Sequence, residues 1–384
     1  MTALDRPAGQ GVAASSSAAS SSAASPAPTM PVDPLGAACP TPIPEGARVI
    51  LGHGSGGQLS AALMRDLIAP ALAGATPGGP LNDAAIVEVG GQRLAFTTDS
   101  FVVSPLEFPG GDIGELAVNG TINDLAMMGA VPLALSLAYI IEEGLAFEEL
   151  RRVTESAARA ARTAGAAIVT GDTKVVGRGA ADGLFVNTAG IGVVPAGVAP
   201  SADRARPGDA IVLSGAIGLH GVAIMSVREG LEFEVEIASD TQPLGGLVAA
   251  VVAAVGEAGG DIHVLRDPTR GGLASALNEI AQASGVGMTL DEPSIPIPGP
   301  VQAACEMLGL DPLHVANEGK CVAIVGPAAA AAVVAAMRGL PEGADATIIG
   351  RVVADHPGMV TIRTLVGSER IVDMLVGEQL PRIC

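Results

Sequence analysis

After Phe233 the chain contains no Phe, Tyr or Trp to its last residue. Any core in that stretch must pack on Ala, Val, Leu and Ile. Aromatics make up only 2% of the 384 residues against 49% hydrophobic. Short apolar runs alternate with helical patterns, and glycines and charges collect at the junctions between them. That alternation predicts an α/β chain, and the length suits two domains, each large enough for its own core.

Several function classes fall away. The longest apolar stretch, Leu244 to Val255, is broken by glycines and is too short to cross a bilayer. The N-terminus has no basic region followed by an apolar core, which predicts a cytoplasmic protein without a secretory signal. A net charge of −19 leaves little Lys or Arg for phosphate backbones, so no nucleic-acid partner is expected. Acids can still hold nucleotide phosphates through Mg²⁺, with carboxylates on the metal and the metal on the phosphates. The cysteines, Cys39, Cys305, Cys321 and Cys384, lack CxxC spacing and suggest neither a disulfide framework nor a zinc site. Cys305 and Cys321 are expected to be small buried residues. Residues 1–46, mostly Ala, Ser, Pro and Thr, cannot bury enough apolar surface to offset ordering and are expected to be a disordered extension.

Along the ordered part, Gly52-His53-Gly54-Ser55-Gly56-Gly57 leads into a helical pattern. Such a loop suits an anion, although it is neither a Walker loop nor a Rossmann fingerprint and serves equally as a turn. A hairpin is predicted over Ile86 to Phe96 around Gly90-Gly91, with Asn82-Asp83 before it and Thr97-Thr98-Asp99-Ser100 after it. A helix from Asp112 to Gly129 carries Asn119, Asn123 and Asp124 on one side, which reads as a site or as a solvated face. After a helix over Leu145 to Ala164, a short strand delivers Gly171-Asp172-Thr173-Lys174, at the carboxyl end where open α/β sheets bind ligands. Leu184 to Val194 reads as a further strand. In the second half, Gly215 to Gly221, Arg266-Asp267-Pro268-Thr269-Arg270-Gly271-Gly272 and Asn317-Glu318-Gly319-Lys320 stand at element junctions. Strands are predicted at Ala210 to Ser214, Cys321 to Val325, Ala346 to Val353, Met359 to Thr364 and Ile371 to Leu375.

The chain then ends Pro381-Arg382-Ile383-Cys384. A last residue has no chain leaving beyond it and can enter a tunnel too narrow for a loop, and a thiolate is a good nucleophile and leaving group in acyl transfer. The tail is therefore a candidate carrier. A frayed, dispensable terminus is the competing reading, and the effect of Arg382 and the terminal carboxylate on the thiol is left open by sequence.

Assembled, these runs resemble the HypE family of hydrogenase maturation factors, the carbamoyl dehydratases, within the PurM-like ATP-binding superfamily. HGSGG at 53–57, TTDS at 97–100, NGTINDLAMMGAVP at 119–132, GDTK at 171–174, RDPTRGGL at 266–273, ANEGK at 316–320 and the closing PRIC follow the family's order. The resemblance covers residues 49–384. It departs from the family at the N-terminal extension and at Asn82-Asp83, where many members have paired acids. Asn82 is uncharged, which leaves Asp83 as the candidate there.

The resemblance implies a two-domain PurM-like fold of mixed sheets: residues 47–200 for ATP binding and dimerisation, 201–375 as the second domain, and 376–384 as a mobile tail ending in the carrier cysteine. It implies a homodimer, ATP and Mg²⁺ as cofactors, the carbamoyltransferase HypF as the loader of Cys384, and a HypC–HypD scaffold as the acceptor of cyanide for nickel-iron hydrogenase. Phosphate handling falls to Gly54, Ser55, Gly56, Gly57, Thr98 and Asn119, and metal to Asp83, Asp99, Asp124 and Asp172. Lys174 is expected to stabilise the transferring phosphate and Glu318 to accept a proton. Two alternatives remain. One is another PurM-like synthetase, such as a selenophosphate synthetase, although such relatives carry a reactive Cys or Sec with a Lys near the start, where this chain has HGSGG. The other is a non-catalytic scaffold.

Overall fold

A computed structural model describes residues 48–76, 79–231, 235–377, 380 and 382–384. The extension expected over 1–46, with Cys39, lies outside the described residues. Two short helices, α1 (Gln58–Leu63) and α2 (Ala69–Ala71), joined by the π turn Met64–Ile68, precede the first sheet.

Strands β1 (Ala85–Val89) and β2 (Gln92–Phe101) form the expected hairpin. Gly90 and Gly91 both have positive φ, 59° and 80°, the backbone of the tight turn whose twist matches flanking strands. A small ribbon, β3 (Glu107–Phe108) with β4 (Gly111–Asp112), leads into α3 (Ile113–Met127). Asp112 caps α3 by accepting from the Gly114 and Glu115 amides at 2.7 and 3.0 Å, which satisfies two of its unpaired N–H groups. Then follow β5 (Val131–Glu142), α4 (Phe147–Thr163), β6 (Ala167–Thr170), β7 (Thr173–Val176) and β8 (Leu184–Val193). The sheet order is β1-β2-β8-β5-β6, with β7 also on β5. Helices α3 and α4 cover one face, where Leu116, Ile122, Leu135, Val153 and Leu184 are buried. Register places Val87, Val89, Phe96, Val131 and Ile140 together on the other face, and all five are exposed.

The second sheet runs β10-β12-β9-β13-β11-β14-β15, from β9 (Ala210–Leu213), β10 (Ile262–Arg266), β11 (Gly287–Asp291), β12 (Val322–Val325), β13 (Thr347–Val353), β14 (Val360–Arg363) and β15 (Glu369–Val372). Its helices are α5 (Leu219–Arg228), α6 (Gly245–Glu257), α7 (Gly272–Ser284), α8 (Gly299–Leu308) and α9 (Pro327–Arg338). The central strands are buried on both faces. Ile211, Leu213, Val322 and Ile324 meet Leu273, Leu277 and Ile280 of α7, while Ala210, Val212, Ala323 and Val325 meet α6 and α9. No ring enters either cluster, as the aromatic-free sequence requires. Cys305 and Cys321 are fully buried, and burial pushes their thiols up to about 11 and about 12.

Helix α3 joins the halves in two ways. Met127 and Ala126 of α3 pack into the α6 cluster. The two asparagines of α3 also cross: Asn123 donates to the Gln242 carbonyl at 3.0 Å and accepts from the Leu244 amide at 2.8 Å, and Asn119 donates to the Thr241 hydroxyl at 3.3 Å. The polar side of α3 is therefore a buried seam, not a solvated face. Of the strand expected over 371–375, Ile371 and Val372 pair, with Thr361 and Val360, and residues 373–375 do not. The Leu375 carbonyl accepts instead from the Gln58 amide at 2.8 Å.

Candidate active site

Acids from both halves meet at this seam. Asp83 stands just before β1, Asp124 on α3 and Asp267 just after β10, and one carboxylate oxygen from each lies within 4.8 Å of the others. Asp99, on β2, lies close enough to the Asp124 side chain for each to influence the other. The Thr97 hydroxyl lies 2.6 Å from Asp124 Oδ2, and Arg266 Nε reaches Asp83 at 3.0 Å. Burial comes first among the causes that raise these carboxyls, followed by their neighbours' charges: Asp83 rises to about 6, and Asp124 and Asp267 well above the usual carboxylate range. Three mutually repelling carboxylates within reach of one point, Asp267 buried and Asp83 and Asp124 half-buried, form a donor set that fits a hard divalent cation with oxygen ligands.

The described tail residues dock beside this cluster. Ile383 is 4% exposed. Its carbonyl lies 2.8 Å from His220 Nε2, and the Cys384 carbonyl accepts from the Val102 amide at 3.1 Å. Arg382 donates to the Val102 carbonyl at 3.0 Å and pairs with Asp182. Cys384 is partly exposed as a residue, but its thiol is enclosed. Burial, and then the Glu318 carboxylate, push that thiol up to about 12, with Arg270 opposing them. Glu318 is 3% exposed, and its Oε1 has no hydrogen-bond partner. Burial foremost, with Asp267 and Asp240 next, holds it well above the ordinary glutamate range. A void of about 20 Å³ remains beside the tail, lined by Ser55, Gly57, Arg270, His314, Leu380 and Ile383 among others.

The sequence-predicted residues divide. Asp83, Asp99, Asp124, Glu318 and Cys384 converge. Asn119 borders the same seam, fully buried, with an unpartnered Oδ1. Thr98 does not join them: strand alternation turns it to the bare sheet face, where its hydroxyl donates to the Thr188 carbonyl at 2.9 Å, and Thr97 is the hydroxyl at the acids. Lys174 is paired with Ile140 in register, so it too lies on the bare face. It is 66% exposed and bonded to Asp172 at 2.5 Å. Within one chain neither Asp172 nor Lys174 is among the groups that shift Glu318 or Cys384. Ser55 and Gly57 line the void at the root of the tail, Gly56 packs against Arg270, and the Gly54 carbonyl accepts from Arg270 at 3.1 Å. A Cβ on Gly57 would lie 2.3 Å from the Leu375 carbonyl oxygen, so glycine is needed there for packing alone. His53 bonds locally to Ile50. Sequence reading missed Asp267, Arg266 and Arg270 as individuals, although their run RDPTRGGL stood out at a strand-to-helix junction.

This arrangement of an N-terminal and a C-terminal α/β layer around a buried acid cluster defines the AIR synthase-related class. The family model for the AIR synthase related protein N-terminal domain matches residues 81–194, and that for the C-terminal domain matches 206–363. The carbamoyl dehydratase HypE of Cupriavidus necator is 54% identical over 350 residues, covering 91% of this chain and 98% of the relative. A solved HypE–HypF complex matches with a TM-score of 0.75 at 48% identity, covering 80% of this chain and 99% of that one. A HypE structure in complex with ATP matches at 0.73 and 48%, covering 86% and 98%. The chain belongs to the carbamoyl dehydratase HypE family.

Proposed function

We propose that this chain dehydrates a carboxamide carried on the Cys384 sulfur to a thiocyanate, using ATP. The observation that carries the reading is the docked tail, which holds the Cys384 thiol beside the unpartnered Glu318 Oε1 and next to the three-carboxylate cluster. A carboxamide oxygen is a poor leaving group. Transfer of the γ-phosphoryl group to that oxygen lets it depart as phosphate, while the two nitrogen protons are taken up, one by Glu318 and one by the leaving phosphate. The products are thiocyanate, ADP and phosphate, so the atoms balance. Such transfer depends on positioning and charge neutralisation, and a raised Glu318 is a stronger base once ionised than an ordinary carboxylate.

Asp83, Asp124 and Asp267, with Asp99 behind them, would hold Mg²⁺. The ion would neutralise charge on the phosphate oxygens. Asp267 takes the place in this set that sequence gave to Asp172. The enclosed thiol, raised to about 12, is protonated when docked, so loading of the sulfur belongs to the undocked tail. The relative solved with HypF supports HypF as the loader, and the relative solved with ATP supports ATP as the phosphoryl donor. A HypC–HypD scaffold would then take the cyanide for the hydrogenase iron.

In this reading residues 47–200 form the ATP-binding and dimerising domain, 201–375 the second domain, and 376–384 the carrier tail. The bare apolar face of the first sheet supports a homodimer. Lys174 on that same face then acts from the partner subunit, as does Asp172 beside it. No helix among the described residues is long and apolar enough to cross a membrane, which agrees with a cytoplasmic reaction. The test is intact mass after incubation with HypF, carbamoyl phosphate and ATP, and again after ATP is added to the purified carboxamide form. Loss of one water from Cys384 is expected, and a carboxamide that persists with ATP refutes the reading.

A further inference from the structure

We propose that His220, backed by Ser239, is a positioning residue that latches the tail in its docked state by gripping the main chain next to Cys384. The inference rests on the carrier reading above for its purpose, but its geometry stands apart from it. His220 lies on the first turn of α5 and is fully buried. Its Nε2 is 2.8 Å from the Ile383 carbonyl. A carbonyl only accepts, so Nε2 carries the hydrogen. Nδ1 is therefore the acceptor, 2.8 Å from the Ser239 hydroxyl, and that oxygen in turn accepts from the Thr241 amide at 3.1 Å. The chain of donors fixes one neutral tautomer. Burial pushes the His220 pKa down, which keeps the ring in that form.

The latch draws on both halves of the molecule. Phe108 meets the His220 ring edge-on, with centroids 5.6 Å apart, and the Ser239 amide donates to the Pro109 carbonyl at 2.7 Å. Arg228 stands eight residues after His220 on α5, hence on the same helix face. It donates to the Ser104 carbonyl at 2.5 Å and to the Arg382 carbonyl. The same helix thus grips two consecutive tail carbonyls, and Val102 grips the third. These bonds go to main chain and none to the sulfur. The latch therefore closes on the tail whether or not Cys384 carries a group, and undoing it is what exposes the sulfur.

The test is the rate at which iodoacetamide labels Cys384 in the full-length protein, read by peptide mapping without ATP or HypF. Docked, the thiol is protonated and enclosed, so labelling proceeds through the undocked tail. His220→Ala should raise the Cys384 rate about ten-fold, since it leaves a buried carbonyl without its donor. His220→Gln keeps an N–H near the place of Nε2 and should return the rate to within about two-fold of wild type. Cys305 and Cys321 report global opening and should stay unlabelled. If His220→Ala labels these as well, Ser239→Ala decides instead, with a rise confined to Cys384 expected from loss of the tautomer lock. Carbamoyl-loaded His220→Ala should also lose water more slowly on addition of ATP. Wild-type labelling of Cys384 in the folded variant would overturn the latch, as would a rate of water loss equal to that of a wild type that does lose water. A wild-type protein that never loses water would refute the dehydratase reading alone, because the labelling result does not depend on it.

Discussion

Glu318 opposes ionisation of Cys384 at the docked end of the tail: after burial, the Glu318 carboxylate is the strongest influence keeping the Cys384 thiol protonated. One site thus holds a neutral sulfur carrier and an acid that readily keeps its own proton. A proton acceptor must be ionised to act, so the rate of water loss should climb with pH through a titration above the ordinary glutamate range. Glu318→Gln should abolish that climb with the reaction, followed as single-turnover mass loss against pH.

Stability should move the other way. The Glu318 pKa is raised on folding, so the native chain holds a proton that the unfolded chain has released. The group's contribution is present below the usual glutamate pKa and is lost as pH rises through the folded value. Glu318→Gln removes this loss. Its Tm should fall less than that of wild type between about pH 5 and about pH 8, and at the upper end should equal or exceed it. A Tm well below wild type at that upper end would mean that ionised Glu318 has a partner that stabilises it.

Cys384→Ala should abolish the thiocyanate product while leaving nucleotide binding intact. The tail's main-chain bonds to Val102, His220 and Arg228 do not involve the sulfur, so the substitution should cost on the order of 1 kcal/mol of stability. Intact mass, thermal unfolding and nucleotide titration check the three parts. Cyanide delivered by this variant would remove the carrier role.

Much of this was legible in the sequence because local chemistry decided it. Gly90-Gly91 specified the hairpin, Asp112 specified the start of α3, and an aromatic-free second half specified aliphatic layers. The strand β5 was not separated in advance. Its residues, Val131 to Glu142, follow α3 after a short turn as one apolar run. Half of the strand's apolar side chains face the uncovered side of the sheet, so no clean alternation of apolar and polar residues marks it. The site was legible as a set of motifs but not as a grouping. The choice between Thr97 and Thr98 depends on which strand face meets α3, and the choice between Asp267 and Asp172 on how the two sheets meet along Asn119 and Asn123. Both are relations between distant segments that no local pattern encodes.

Asp267→Asn separates the two metal sets. It removes one of three clustered carboxylates and leaves the Asp172–Lys174 pair untouched. The apparent Mg²⁺ requirement of ATP turnover should rise by at least about ten-fold, with folding retained, because the amide relieves repulsion among buried acids. Titrating ATPase activity against Mg²⁺ measures the shift, and an unchanged requirement would take Asp267 out of the set.

Lys174 lies on the bare sheet face, opposite the side on which Asp99 and Asp124 converge, so the proposed homodimer predicts that it serves the partner's tail. Lys174→Ala alone should fold normally, since the side chain is 66% exposed and its ion pair with Asp172 is worth little in water. It should fail to dehydrate the loaded tail, as should Cys384→Ala. Mixing the two and allowing subunits to exchange should restore activity. Each mixed dimer pairs an intact Lys174 from one chain with an intact Cys384 from the other. Random exchange makes half the dimers mixed, with one working site each, so recovery should approach about a quarter of wild type. Were Lys174 to act on its own chain's tail, each mixed dimer would carry two broken sites and the mixture would stay inactive.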